Sequence, residues 1–264
     1  MCRRSVSPLF PRPKQTYLWK SERDMTGLID FHSHILPGID DGSRSVEQSL
    51  AMLREEARQG IAHVVATPHF YARYDSPKKF LKRRAEAENN LRQALQWDVS
   101  APAFTVGAEV YYYPGMGNSD AISDLAIQGT NYILIEMPQP PWTDQMYYEL
   151  ENIRAKQNLI PIIAHIDRYI APFRTNGIPE QLGKLPVLVQ ANACFFLNRK
   201  TSRMALRMLR ADQLPLLGSD CHNTETRPPN LEQAVRLIQN KLGTGVLDRV
   251  RSYQRDVFTA AISE

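Results

Sequence analysis

From residue 28 onward, short apolar runs alternate with stretches in which apolar residues recur every three or four positions. The runs at 28–31, 61–66, 104–108, 132–135, 160–164, 187–191 and 214–218 have the length and the Ile, Val, Leu and Phe content of strands. Between them, Ser45-Val46-Glu47-Gln48 matches a capping box, and Val46, Leu50, Leu53 and Ala57 follow at helical spacing until Gly60. Ser76-Pro77 opens a second helix running towards Trp97. Helical patterns also cover 144–157, 201–211, 231–242 and 247–262. Seven strands, each followed by a helix or a long loop, predict an α/β chain folded as one βα barrel rather than an open sheet.

In such barrels the chemistry gathers where the strands end. Six of the seven predicted ends carry metal-ligand side chains: His32 and His34 with Asp41 close behind, His69, Glu109, Glu136, His165, and Asp220 with His222. A single His-x-His means little, because alternation alone puts both rings on one face. Imidazoles and carboxylates delivered from six strand ends to one rim are what a cluster of divalent cations needs. The seventh end, Gln190-Ala191-Asn192, carries amides suited to orienting such ligands. His63 is the exception. It lies within its strand and reads as a hydrogen-bonded structural residue.

Composition narrows the partners. The chain has 264 residues, 43% hydrophobic and 23% charged, with no apolar run near the ~20 residues of a membrane helix. Its three cysteines, Cys2, Cys194 and Cys221, make no disulfide framework and fit a reducing cytoplasm. Residues 1–24 hold six Lys and Arg against Glu22 and Asp24, which is the whole of the chain's net charge of +4. The remainder balances, so nothing in it argues for nucleic-acid binding. The proline-bearing segment 1–24 has no periodicity and is expected to be a disordered extension ahead of a domain spanning 25–264.

Two arginines follow the ligand groups, Arg168 after His165 and Arg227 after His222. A guanidinium beside a metal cluster is suited to gripping a phosphoryl group, with salt bridges to Asp167 or Glu225 as the plainer alternative. Cys221 and Arg227 also fall at Cys-x5-Arg spacing, the signature of thiolate-dependent tyrosine phosphatases. The intervening His222-Asn223-Thr224-Glu225-Thr226 lacks the glycine such a phosphate loop uses, and Glu225 would repel the anion. Cys221 therefore reads as a packing residue. Tyr111-Tyr112-Tyr113 and Trp142 offer aromatic walls near the site.

Residues 28–42 (LIDFHSHILPGIDDG), 66–69 (ATPH), 107–111 (GAEVY), 163–169 (IAHIDRY) and 218–229 (GSDCHNTETRPP) resemble the PHP (polymerase and histidinol phosphatase) superfamily. Within it they are similar to the bacterial manganese-dependent protein-tyrosine phosphatases of capsule and exopolysaccharide biosynthesis. The resemblance implies a distorted seven-stranded, TIM-like barrel and hydrolysis of phosphotyrosine. It implies that His32, His34, Asp41, His69, Glu109, Glu136, His165, Asp220 and His222 bind three metal ions, Mn2+ with Fe2+ or Zn2+ as alternatives, Glu109 bridging. Arg168 and Arg227 would hold the phosphate, and His222 is a candidate acid. The implied substrate is the tyrosine-rich tail of a membrane-associated tyrosine autokinase, reached from the cytoplasm without membrane insertion. The competing expectations are a phosphoesterase acting on a small metabolite or nucleic-acid ends, and an inert phosphotyrosine-binding scaffold. Ile166-Asp167 departs from the Pro-Glu common at that place.

Overall fold

Strands and helices are interspersed along the described chain, and every strand pairing is parallel. The computed structural model describes residues 27–96, 98, 100–170 and 177–259. Within them the strands are β1 (Leu28–Ser33), β2 (Ile61–Ala66), β3 (His69–Phe70), β4 (Ala103–Val106), β5 (Glu109–Tyr111), β6 (Tyr132–Glu136), β7 (Ile160–Ile163), β8 (Leu188–Asn192) and β9 (Leu216–Gly218). They form a sheet ordered β1-β2-β4 and a larger one ordered β3-β5-β6-β7-β8-β9.

Nine segments stand where the sequence predicts seven runs, for a local reason. Thr67-Pro68 separates β2 from β3, and Gly107-Ala108 separates β4 from β5. Proline has no N–H to give a ladder, and a side chain at Gly107 would press on Ile127, 3.1 Å from its Cβ position. Backbone bonds cross these breaks: Thr67 N–H to Ser33 O at 2.8 Å, Gly107 N–H to Ala66 O at 2.8 Å and Glu109 N–H to Pro68 O at 3.0 Å. At the far edge, Asp220 N–H donates to His32 O at 2.8 Å and His34 N–H to Cys221 O at 2.9 Å. The parallel sheet thus curls until the chain beyond β9 lies against β1. Gly218 is required at that seam, where a Cβ would sit 2.6 Å from Gln190 Nε2 and 2.7 Å from His32 Cβ.

Helices pack outside the curl. Helix α1 (Val46–Arg58) starts on Ser45, whose hydroxyl accepts from Gln48 N–H as the capping pattern predicts. Ser76 caps α2 (Pro77–Leu95), which ends short of Trp97, itself outside the described residues. Then follow α3 (Asp144–Gln157), α4 (Ile178–Leu182), α5 (Ala193–Leu197), α6 (Ser202–Arg210), α7 (Leu231–Leu242) and α8 (Thr244–Thr259). The one-turn helices α4 and α5 are too short to show a period in the sequence, and α8 begins three residues earlier than predicted. The expectations for residues 1–24 fall outside the described residues.

The inner face of the curl holds its own apolar cluster: Ile29, Phe31, Val65, Leu134, Ile162 and Leu216, closed from the α8 side by Val257 and Phe258. Gln254 of α8 ties that end down, accepting from Ile29 N–H at 2.9 Å and donating to Ile29 O at 3.1 Å. On β6, alternation puts Tyr132 and Leu134 in this inner layer with Glu136 beyond them; on β8, Leu188 is followed on the same face by Gln190 and Asn192. The polar set therefore sits at the C-terminal strand ends on an apolar floor.

Candidate metal centre

All nine ligand-type residues come together at that rim. Glu109 is the centre. One carboxylate oxygen lies 2.8 Å from His165 Nε2, and the other lies 2.9 Å from His69 Nδ1, 3.2 Å from His32 Nε2 and 3.4 Å from His34 Nε2. Four imidazoles thus surround one buried carboxylate. Asp220 Oδ1 stands 3.5 Å from His34 Nε2 and 3.7 Å from His32 Nε2, and Glu136 lies 3.5 Å from His165 Nε2. Asp41, with 66% of its side chain exposed, reaches back to within 3.5 Å of His69 and 3.4 Å of His222.

Three groups within this set could each hold a cation, with donor atoms no more than 4.8 Å apart: His34, Asp41, His69 and His222; His32, His34 and Glu109; His69, Glu109 and Glu136. Each group shares a residue with each other group. The buried atoms Glu109 Oε2, His69 Nδ1 and His222 Nε2 have no hydrogen-bond partner, despite their crowding. Buried polar atoms are seldom left so, and hard and borderline donors aimed at shared points fit divalent metal ions.

The chain holds its donors in place through a layer of further bonds. Asp40 takes His34 Nδ1 at 2.7 Å while accepting from His69 N–H and Gly42 N–H, both at 2.9 Å. This leaves His34 Nε2 facing Glu109, the arrangement that orients metal-binding imidazoles. Burial works against ionisation of Asp40, but His34 outweighs it and brings the carboxyl down to about 2. Gln190 does the same for His32, 3.1 Å from its Nδ1, and also accepts from His165 N–H at 2.8 Å. Its amide donates to Asn192, which in turn donates to Asp220 at 3.0 Å. The amides at this strand end have the orienting geometry read from the sequence. His165 and Asp220 adopt φ of +32° and +55°, a region uncommon for residues with a Cβ and a mark of sites where geometry is over-determined.

Charge follows the same geometry. Burial disfavours ionised Glu109, yet His32, His165 and His34 hold it well below the usual carboxylate range. For His222, burial together with His34 and Arg227 lowers the ring to about 4. Its Nδ1 lies 3.0 Å from Asp220 O, a contact that leaves Nε2 facing Asp41 with a lone pair suited to a ligand role. Arg168 and Arg227 pair not with Asp167 or Glu225 but with opposite oxygens of Asp220, at 2.7 and 2.8 Å. Both guanidiniums remain exposed at the mouth.

Four residues singled out from the sequence lie elsewhere. His63 bonds Thr105 Oγ1 at 2.7 Å, within the strands as predicted. Cys221 is fully buried behind the site, its thiol 3.8 Å from Glu56; burial, with Glu56 and Asp30 beside it, pushes its pKa well up. Trp142 is buried against Tyr169, ring centroids 5.0 Å apart, and Tyr112 is buried too, so neither forms an exposed wall. Of the aromatic rings beside the donors, Tyr169 is buried 5.8 Å from His165, whereas Tyr71, 5.2 Å from His69 and 5.6 Å from Tyr111, is only half-buried. Asp40 and Tyr71 are the residues that sequence reasoning passed over.

Residues 28–256 match the family model described as capsular polysaccharide synthesis, CpsB/CapC. The chain is 30% identical over 231 residues to the tyrosine-protein phosphatase CpsB of Streptococcus pneumoniae, covering 82% of this chain and 91% of that protein. To the tyrosine-protein phosphatase YwqE of Bacillus subtilis (strain 168) it is 29% identical over 230 residues, covering 82% and 86%. A solved chain from work on those two proteins, called unique metal-dependent tyrosine phosphatases, superposes with a TM-score of 0.74 at 22% identity, over 90% of this chain and 100% of that one.

Proposed function

The chain belongs to the CpsB/CapC family of capsular polysaccharide synthesis, and on that footing we propose that it is a metal-dependent protein-tyrosine phosphatase. The observation that carries this reading is the buried Glu109 carboxylate among four imidazoles, with two exposed arginines above it. The proposed ligands are His32, His34, Asp41, His69, Glu109, Glu136, His165, Asp220 and His222. Three overlapping donor groups support three ions, manganese by family resemblance. The donors are nitrogen and oxygen without thiolate, which suits manganese, iron or zinc. Such a cluster supplies Lewis-acid activation of water and neutralises phosphoryl charge.

The protein's own part is binding and orientation. Arg168 and Arg227, spread apart by Asp220, grip phosphoryl oxygens, where planar guanidinium forks bind bidentately. Their charge offsets what gathers on the equatorial oxygens as the ester breaks. A tyrosine phenolate leaves with a pKa near ~10, so little acid assistance is needed, and His222 is the candidate for what help there is. The fold in this reading is a distorted barrel of seven strands, with β2 and β3, and β4 and β5, each one bent strand. The domain spans 25–264 and works in the cytoplasm on the tyrosine-rich tail of a membrane-associated kinase. No helix among the described residues is long and apolar enough to cross a membrane.

Side-by-side kcat/KM measurements test the reading. Phosphotyrosine peptides should be cleaved well ahead of phosphoserine peptides, histidinol phosphate and DNA ends. A preference for histidinol phosphate or DNA would refute the tyrosine-phosphatase assignment and leave the metal centre standing. The thiol chemistry suggested by Cys221 and Arg227 is tested separately. With its thiol buried away from the donors and held protonated, Cys221→Ser should retain most activity, and alkylating reagents should not silence the enzyme. Trapping a cysteinyl-phosphate would show that the mechanism is the other one.

A further inference from the structure

We propose that Tyr71 is the wall against which the phenyl ring of a phosphotyrosine substrate packs, and that Tyr74, beyond that ring, meets the neighbouring residue of a peptide substrate; the inference rests on the phosphatase reading above. An open cleft of about 510 Å³ runs outward from Asp41 and His69, and Ile39, Tyr71 and Tyr74 line its flanks. The ring of Tyr71 stands 5.2 Å from that of His69 and 6.3 Å from that of Tyr74, so aromatic surface continues from a metal-donor side chain to solvent. Tyr74 is 79% exposed, the most exposed large hydrophobic side chain among the described residues. Arg73 lies over its ring at 5.7 Å.

The placement follows from the strand. In β3, His69 faces the donors and Phe70 turns into the core against Phe80, ring centroids 5.2 Å apart. Alternation then returns Tyr71 to the side of His69. Glu109 and Tyr111 repeat the pattern on the neighbouring β5, which sets Tyr111 5.6 Å from Tyr71 as support from behind. The turn carrying Tyr74 is anchored. Tyr74 N–H and Asp75 N–H donate to Tyr71 O at 2.9 and 3.1 Å, Asp75 is ion-paired with Arg83, and Arg83 also donates to Ile39 O at 3.1 Å. An aromatic surface held rigidly in solvent beside a catalytic centre is suited to binding.

The chemistry selects the occupant. With the phosphoryl group at the donors and between the arginines, the next group outward on a phosphotyrosine is a flat ring, which can stack offset or edge-on against Tyr71. On a phosphoserine that space holds a methylene and backbone, and the wall goes unused. Arg168 and Arg227 grip any phosphoryl group. Discrimination therefore falls to Tyr71, while Tyr74 meets the residue flanking the phosphotyrosine.

The test uses the metal-loaded enzyme with two probes, phosphotyrosine as substrate and inorganic phosphate as competitive inhibitor. Tyr71→Leu keeps the apolar volume and removes the aromatic face. It should raise KM for phosphotyrosine roughly five- to tenfold, the scale of one aromatic pair, with kcat and the phosphate inhibition constant within about twofold of wild type. Tyr71→Phe should behave as wild type. Tyr74→Ala should weaken a phosphotyrosine peptide but not the free amino acid. A parallel rise in the phosphate constant would place Tyr71 in the phosphoryl site and overturn the proposal. So would a Tyr71→Phe variant as impaired as Tyr71→Leu, or a Tyr71→Leu variant with unchanged KM. Wild-type enzyme that ignores phosphotyrosine while cleaving other monoesters would instead remove the phosphatase reading on which the subsite rests.

Discussion

Exhaustive chelation of the purified protein abolishes turnover of phosphotyrosine and of p-nitrophenyl phosphate, and added manganese restores it. The expectation comes from what the nine donors would otherwise be doing. Glu109, Glu136 and Asp220 bring negative charge into one largely buried space, and the partial compensation comes from imidazoles and from two arginines needed for substrate. Glu109 Oε2, His69 Nδ1 and His222 Nε2 are buried in close contact with one another or with Asp41 yet lack hydrogen-bond geometry, so their desolvation cost is only partly offset. Cations at the shared points would offset that cost, so the metal-loaded protein should also melt at a higher temperature than the stripped one. The two readouts are independent. Stripped protein, verified by elemental analysis, that keeps full activity would end the metal-hydrolase reading. Stripped protein that is inactive but no less stable would mean that the ions serve chemistry without bracing the rim.

The gathering of these side chains was legible in the sequence because a curled parallel sheet converts a one-dimensional rule, polar residue at the end of an apolar run, into a three-dimensional rim. His32, His69, Glu109, Glu136, His165 and Asp220 all obey it. The layer behind them was only half legible. Gln190 and Asn192 stand at a strand end and could be read. Asp40 lies in a turn, where no periodicity separates it from the adjacent Asp41, and only the fold reveals that one orients His34 while the other, largely exposed, reaches over to His69 and His222. The division of two of the predicted runs into shorter strands was not legible, for a related reason. Hydrophobicity runs on through Gly107-Ala108, while the regular strand is interrupted there and single backbone bonds bridge the gap. Tyr71 was passed over in favour of the more conspicuous Tyr111-Tyr112-Tyr113. Yet the signal was present: a residue two positions beyond a donor at a strand end shares its face, and His69-x-Tyr71 and Glu109-x-Tyr111 both satisfy that spacing. Adjacent Tyr112 has the opposite phase and is buried.

Replacement of Glu109 or Asp220 by alanine lowers kcat by at least ~10²-fold, since either change removes ligand charge from the group that activates water. The two residues should nonetheless fail differently. Glu109 is a member of two of the three donor groups and touches His32, His34, His69 and His165. Its loss should lower the metal content itself. Glu109→Gln keeps the shape but not the charge and should be nearly as damaged as Glu109→Ala. Asp220 sits between the histidines and the arginines, holding Arg168 and Arg227 through separate oxygens. Its loss should therefore weaken phosphate inhibition as well as turnover, because the guanidiniums lose the partner that spaces them. Measured together, metal stoichiometry, kcat and the phosphate inhibition constant separate the two roles. A folded Glu109→Ala protein with a full metal complement and near wild-type kcat would contradict a central ligand role for Glu109. An Asp220→Ala protein whose phosphate inhibition is unchanged would show that the arginines take their positions from the rest of the rim.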